Sequence, residues 1–393
     1  MILTKLFREF FNSGKVGGII LLVCTIVSLV VANGGAGESY TAFWHSYIDL
    51  SFSSINLNLS IEHWINDGLM TIFFLLVGLE IERELYKGEL SNVRNAILPI
   101  GAAVGGMLIP AGIYLLVTLN SPNKSGFGIP MATDIAFALG MLALAGNRVP
   151  ASLKIFLTAL AIIDDLGAIL VIAIFYTGGI IWSSLSISLG IFVVLMIMNK
   201  AGIKNLLFYL IPGAAMWYFM LQSGVHATIS GVLLAFAVPF SQRDETNPSY
   251  LLQHALHKPV SFLILPLFAL ANTGIILAEG WENKLFSSGN SLGIILGLII
   301  GKPLGILLCC WLLIRFNLSS LPENITWRLL FGAATLAGIG FTMSIFISNL
   351  AFKDATDIQY SKVAVLAASL IATIGGLLIL FTVRKNQETE PAS

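Results

Sequence analysis

Apolar residues gather along the chain into twelve stretches set off by charges or turn residues: 16–33, 61–82, 95–119, 127–145, 152–177, 180–199, 204–221, 224–240, 255–279, 290–314, 327–351 and 361–383. An α-helix of about 20 such residues crosses a hydrocarbon slab of about 30 Å. Within that slab every backbone group must be bonded internally, so consecutive stretches of this kind predict helices throughout. The pattern predicts an all-α polytopic membrane protein in which twelve transmembrane helices form one transmembrane domain over 1–393.

An even number of crossings puts both termini on one side, and the basic residues choose the side. Of the 21 lysines and arginines, Lys124, Lys284, Lys353 and Lys362 fall in predicted outer segments and Lys302 falls in no loop, while all the others lie on the side of the termini. Cytoplasmic loops collect lysine and arginine, so both termini are expected in the cytoplasm. The start, with Lys5, Arg8 and Lys15 ahead of 16–32, has the outline of a secretory signal, but the many spans that follow favour a retained first helix.

Between the first two spans, 33–60 is polar, and its alternation in SFSSINLNLS reads either as a small outer hairpin, with Trp44, Tyr47 and Phe52 along the interface, or as an ordinary loop. Residues 122–128 and 279–290 read as outer turns, 241–250 as a polar internal loop, and the tail 385–393 as disordered.

Two spans carry breakers. The fourth holds Pro130, Thr133, Asp134 and Gly140 in GIPMATDIAFALG; the eleventh holds Gly338, Gly340, Thr342 and Ser344 in AGIGFTMSIFI. Proline removes a backbone donor and glycine loosens a helix, so both spans are expected to be discontinuous. Each sits in the middle of a triplet of spans, about 95–177 and about 290–383. With alternating crossings the two triplets run oppositely, which predicts an inverted-topology repeat with a binding site near the midplane.

Composition sharpens this picture. The chain is 56% hydrophobic and 11% charged, with mean hydropathy +0.88, too apolar for a soluble protein of 393 residues. Net charge is zero and no basic run occurs, so nothing points to nucleic acid; the partner is the lipid bilayer. Cys24, Cys309 and Cys310 lie in apolar stretches and read as packing residues, and no cofactor is implied.

The charges inside the spans are therefore the informative residues. Asp164 and Asp165 stand together in the middle of LTALAIIDDLGAILVIAIFYT, at 157–177, and such intramembrane acids mark ion or proton paths. The bland alternative is a pair of protonated acids bonded to a neighbouring helix. Neighbours on a helix diverge by about 100°, so one aspartate can face Lys302 and the other a cavity. Where two half-helix N-termini meet, a carboxylate such as Asp134 fits; where two C-termini meet, an ammonium such as Lys302 fits. Carboxylate, hydroxyl and carbonyl oxygens are hard ligands suited to Na+ or Li+. Cation and H+ would then compete, and two titrating groups against a monovalent ion permit exchange that moves net charge.

ATDIAFALG at 132–140, LAIIDDLGAI at 160–169, SGVHATISG at 223–231, LILPLFALANTG at 263–274, GKPLGI at 301–306 and GIGFTMSIFI at 338–347 together resemble the NhaA family of sodium/proton antiporters, over about residues 6–384. The resemblance implies that fold and exchange of cytoplasmic Na+ or Li+ for H+ in the bacterial inner membrane, commonly by a homodimer. It implies that Asp165 is the chief cation and proton ligand, Asp164 the partner of Lys302, and Thr133 and Asp134 the residues at the helix break. It also implies control by pH through Glu80, Glu82 and Glu84 and through the start of the ninth span. There LQHALHKP carries Gln253 where the family has an acid, which puts the usual pH response in question. His226 and His254 can tune such a response or serve as hydrogen-bonded packing residues, and a solvated helix end also accounts for the three glutamates.

Other classes fit less well. An intramembrane aspartyl protease needs facing carboxylates from two helices and a GxGD motif, which the chain lacks. A sodium-coupled symporter of an organic solute needs more polar lining, and a channel needs a filter or ring of charges.

Overall fold

The computed structural model describes residues 2–52, 55–241, 247–277 and 280–383, and the tail expected to be disordered lies outside them. Each apolar stretch carries a helix or a bent helix pair. Among the described residues seven helices are long and apolar enough to cross a bilayer: Ile61–Lys87, Val93–Val117, Ala151–Phe175, Trp182–Lys200, Pro248–Asn272, Gly289–Arg315 and Ala355–Phe381. The number reaches ten if each of three bent pairs counts as one crossing. Over the seventh and eighth expected spans, Leu207–Gln222 and Ile229–Ala237 are shorter, at 16 and 9 residues.

Side-chain caps explain where several helices begin. Asn92 Oδ1 accepts from Arg94 N, Asn247 Oδ1 from Tyr250 N, and Thr326 Oγ1 from Leu329 N, each relieving a donor that the first turn cannot use. Two of the bent pairs matter for function. Pro122–Met131 and Ile135–Leu144 meet at 45°, and Trp327–Ala337 and Phe341–Ala351 meet at 43°. Ala132 and Asp134 are extended at the first break, and at the second Gly338 and Gly340 interrupt the regular bonding.

By its contacts the chain divides into two compact units. The first comprises the described residues of Met1–Ser13, Ile19–Ser91 and Ala168–Trp281; its apolar core includes Leu75, Leu79, Leu195, Tyr209, Met216 and Leu234. The second comprises Gly14–Gly18, Asn92–Gly167 and the described part of Glu282–Ser393, so it holds both bent pairs and most of each expected repeat arm. Within it Val93–Val117 packs along Gly289–Arg315, and Gly105 and Gly305 meet so closely that a methyl on either would strike the other's backbone.

Three long helices contain a widened π-helical turn, at Trp64–Leu69, Val260–Ile264 and Gly297–Gly301. Nothing in the apolar periodicity signals them.

The segment read as hairpin or loop contains a hairpin, Tyr47–Asp49 paired antiparallel with Asn58–Ser60, in the register Tyr47 to Ser60. It is preceded by an unforeseen helix, Gly37–His45. Trp44 is buried on that helix, edge-on to Tyr40 and Phe43, and does not share the exposure of Tyr47 and Phe52. The turns expected at 122–128 and 279–290 contain short helices, Pro122–Met131 and Trp281–Ser287. Local i to i+3 bonding absorbs the turn-forming residues of the first.

Candidate functional site

The two breaks in the second unit leave four helix ends with unbonded backbone groups, and buried polar side chains answer them. Asp134 Oδ1 accepts from Phe137 N at 2.9 Å, capping Ile135–Leu144. Its Oδ2 accepts from Thr342 N at 3.1 Å and from the Thr342 hydroxyl, capping Phe341–Ala351 as well. One carboxylate thus serves two helix N-termini, each equivalent to roughly half a positive charge. Asp134 N in turn donates to Ile339 O at 2.8 Å, tying one break to the other.

The two C-terminal ends are met from the other side. Lys302 Nζ donates to Met131 O, the last carbonyl of Pro122–Met131. Thr133 Oγ1 lies 2.8 Å from Ala337 O, which ends Trp327–Ala337. The same hydroxyl lies 2.8 Å from Asp164 Oδ2, and Lys302 Nζ is 2.7 Å from that oxygen. Thr133, Asp134, Asp164, Asp165 and Lys302 are all buried, all but Asp134 with no exposed surface.

Three features define what this arrangement can do. Lys302 Nζ forms its ion pair with Asp164 Oδ2, and Asp165 is the next residue of the same helix. Asp164 Oδ2 has two partners, while its Oδ1 has no hydrogen bond among the described residues, leaving one acceptor open. Thr133 has one proton for two acceptors, so when it donates to Ala337 O its contact with Asp164 is a hydrogen bond only if Asp164 is protonated and donates to the hydroxyl. The donor set is wholly oxygen, which fits a hard monovalent ion.

Sequence reasoning singled out Thr342 and Ser344 as polar groups at the second break. The structure puts Thr342 on Asp134 and Ser344 Oγ 2.7 Å from Ile129 O. Ser369 was not anticipated: its Oγ accepts from Phe341 N at 3.1 Å, a further cap on the same half-helix. A serine within the apolar run of the last span was its only signal.

The remaining candidates lie in the first unit. Glu80, Glu82 and Glu84 are buried, which removes the solvated helix end as their explanation. Gln253 is buried too and hydrogen-bonds Glu80, Ser249 Oγ donates to Glu82 Oε2 at 3.3 Å, and Glu84 Oε1 accepts from Glu89 N at 2.8 Å. His226 Nε2 is 2.8 Å from Tyr176 O, a packing bond, and His254 stacks flat on Tyr250 at 6.4 Å.

Known proteins share this chain's sequence over nearly its full length. The profile of the family described as Na+/H+ antiporter 1 matches residues 8–380. The chain is 56% identical over 386 residues to a protein of Flavobacterium psychrophilum named Na(+)/H(+) antiporter NhaA, covering 98% of each. It is 55% identical over 383 residues to a protein of the same name from Dechloromonas aromatica, covering 96% of each. Among solved structures it resembles the sodium proton antiporter MjNhaP1 of Methanocaldococcus jannaschii at pH 8, with a TM-score of 0.54 over 98% of this chain and 99% of that one; at 13% identity the likeness concerns the fold.

Proposed function

The chain belongs to the Na+/H+ antiporter 1 family, and from that membership we propose that it exchanges Na+, or Li+ in its place, for H+ by competition at Asp164 and Asp165. It is a multi-pass membrane protein, and exchange is the general activity carried in its relatives' names. The observation that carries the site assignment is the fully buried contact of Lys302 Nζ with Asp164 Oδ2 at 2.7 Å, directly beside Asp165 and against a helix break.

Charge bookkeeping supports the competition. Over the whole site the two positive and two negative helix ends cancel, and Asp134 cancels Lys302, which leaves a net charge equal to that of Asp164 and Asp165. Two protons neutralise the pair, and one Na+ leaves a negative charge behind. Swapping the two loads therefore moves net charge, so exchange is electrogenic and responds to membrane voltage.

Twelve crossings, of which the fourth and eleventh are discontinuous, place both termini in the cytoplasm of a bacterium, with the chain in the inner membrane as a homodimer. Na+ leaves the cytoplasm as external H+ enters, which serves sodium and pH homeostasis. Control by pH runs through Glu80, Glu82 and Glu84, with Gln253 weakening or resetting it; His226 and His254 modulate it at most.

The decisive test is a pH-sensitive dye in everted vesicles, energised and then given Na+, Li+ or K+. Rapid dequenching with Na+ and Li+ but not K+ is the expected result. No response to any of the three would end the proposal.

A further inference from the structure

The wide turn Gly297–Gly301 lies immediately before Lys302 and shifts the backbone bonding by one residue. In an α-helix the Lys302 N–H would serve Leu298; here it donates to Gly297 O. In a π-helical turn the donor for Leu298 would be residue 303, which is Pro303 and has no N–H. The Leu298 carbonyl thus loses both the α-helical and the π-helical donor of its own helix. Leu298 is fully buried, and a buried carbonyl without a donor is rare enough to need a reason.

Its surroundings supply one. A methyl group on Gly338 would collide with Leu298 O, so the carbonyl abuts the break between Trp327–Ala337 and Phe341–Ala351. The residue before Gly338 is Ala337, whose carbonyl lies 2.8 Å from Thr133 Oγ1, itself 2.8 Å from Asp164 Oδ2. Leu298 also stands one turn ahead of Lys302, whose ammonium holds the same aspartate oxygen. The released oxygen therefore lies against the break whose Ala337 carbonyl and Thr133 hydroxyl lead to Asp164, on a helix that does not itself break.

We propose that the Leu298 carbonyl is a further ligand of the transported monovalent cation, joining Asp164, Asp165 and Thr133 in an all-oxygen shell. The inference rests on reading those aspartates as the ion site. A hard ion that sheds water needs oxygen atoms in exchange, and carbonyls freed from helical bonding supply them in transporters. A carbonyl does not take up a proton at physiological pH. Its contribution is offered to Na+ and withheld from H+, so it tunes one competitor alone.

Pro303→Ala tests this. If the turn stays wide, the new N–H at 303 bonds Leu298 O; if it relaxes to α, the Lys302 N–H does. Either way the carbonyl gains a donor and becomes a poorer ligand. The expected result is an apparent KM for Na+ raised about tenfold, the effect of one competing hydrogen bond, with the maximal rate within about twofold and Tm not lowered. Calorimetric titration of purified protein with Na+ should show the same shift without turnover. Ile300→Ala, a change at an exposed position of the same turn, should leave KM unchanged. An unmoved KM, a lost rate at constant KM, or a protein that unfolds or melts earlier would each overturn the assignment, since a purely structural proline predicts those outcomes. Wild-type protein without Na+-driven exchange would sink the antiporter reading itself, and is distinguished by failing before any variant is made.

Discussion

Lys302 Nζ and Asp164 Oδ2 stand 2.7 Å apart, and neither side chain has any exposed surface. Taking both charges out of solvent costs several kcal/mol each, which their attraction offsets only with good geometry and further hydrogen bonds. Those bonds come from Thr133 to the acid and from the ammonium to Met131 O. The pair is thus held by the ends of the broken helices, so any ion that displaces Lys302 from Asp164 also loosens the break.

Lys302→Met should therefore destabilise the protein by roughly 3–5 kcal/mol, because it leaves a buried carboxylate without its counter-charge. Combining it with Asp164→Asn should recover much of that loss. Thermal melts of the two single variants and the double variant measure the coupling; additive losses would mean that the contact carries no net energy.

Asp165→Asn keeps the volume and removes the charge. Folding should survive, judged by Tm, while Na+-driven proton movement in vesicles falls to background. Retained exchange would move the ion site away from this residue.

Asp134 acts through two caps, so its acceptor oxygens matter more than its charge. Asp134→Ala uncaps both half-helices and should cost roughly 1 kcal/mol for each, about 2 kcal/mol together. Asp134→Asn keeps one oxygen acceptor and should lose less. Equal losses in the two variants would assign the effect to charge against the helix ends instead of to the caps.

Much of this was legible in advance because membranes leave few options. An apolar stretch of sufficient length must be a helix, and an acid within one stands out, so Asp134, Asp164, Asp165 and Lys302 could be picked from the sequence. The breaks were foreshadowed by Pro130 and by Gly338 and Gly340. What stayed hidden was backbone: the carbonyls of Met131 and Ala337, and the wide turn that frees Leu298, depend on hydrogen-bond register, which no residue type announces. The burial of Glu80, Glu82 and Glu84 was hidden too, because it comes from packing: Gln253 and Ser249 of Pro248–Pro259 meet Glu80 and Glu82, and the chain turning back at Gly88 and Glu89 meets Glu84.

Competition sets a sign for pH. A carboxylate that carries H+ cannot ligate Na+, so lowering pH should raise the apparent KM for Na+ while the rate at saturating Na+ changes less. Initial rates over a grid of pH and Na+ concentration check this. A KM independent of pH across mildly acid to alkaline buffers would show that the two ions do not share a site.

Gln253→Glu probes the buried acids of the first unit. Gln253 is hydrogen-bonded to Glu80, with Arg83 beside that glutamate and Ser249 on Glu82. An amide can donate to a carboxylate, whereas a second ionised carboxylate in the same place repels it. At low pH a shared proton can hold the two acids together; as pH rises that proton leaves and repulsion grows. The variant should therefore melt near the wild-type temperature in acid and fall progressively below it in alkali. If these residues govern exchange, its pH profile should shift along with that loss, and Glu80→Gln in the same chain should reverse both. A change in Tm that leaves the exchange profile in place would make the cluster a matter of packing, with pH control lodged elsewhere.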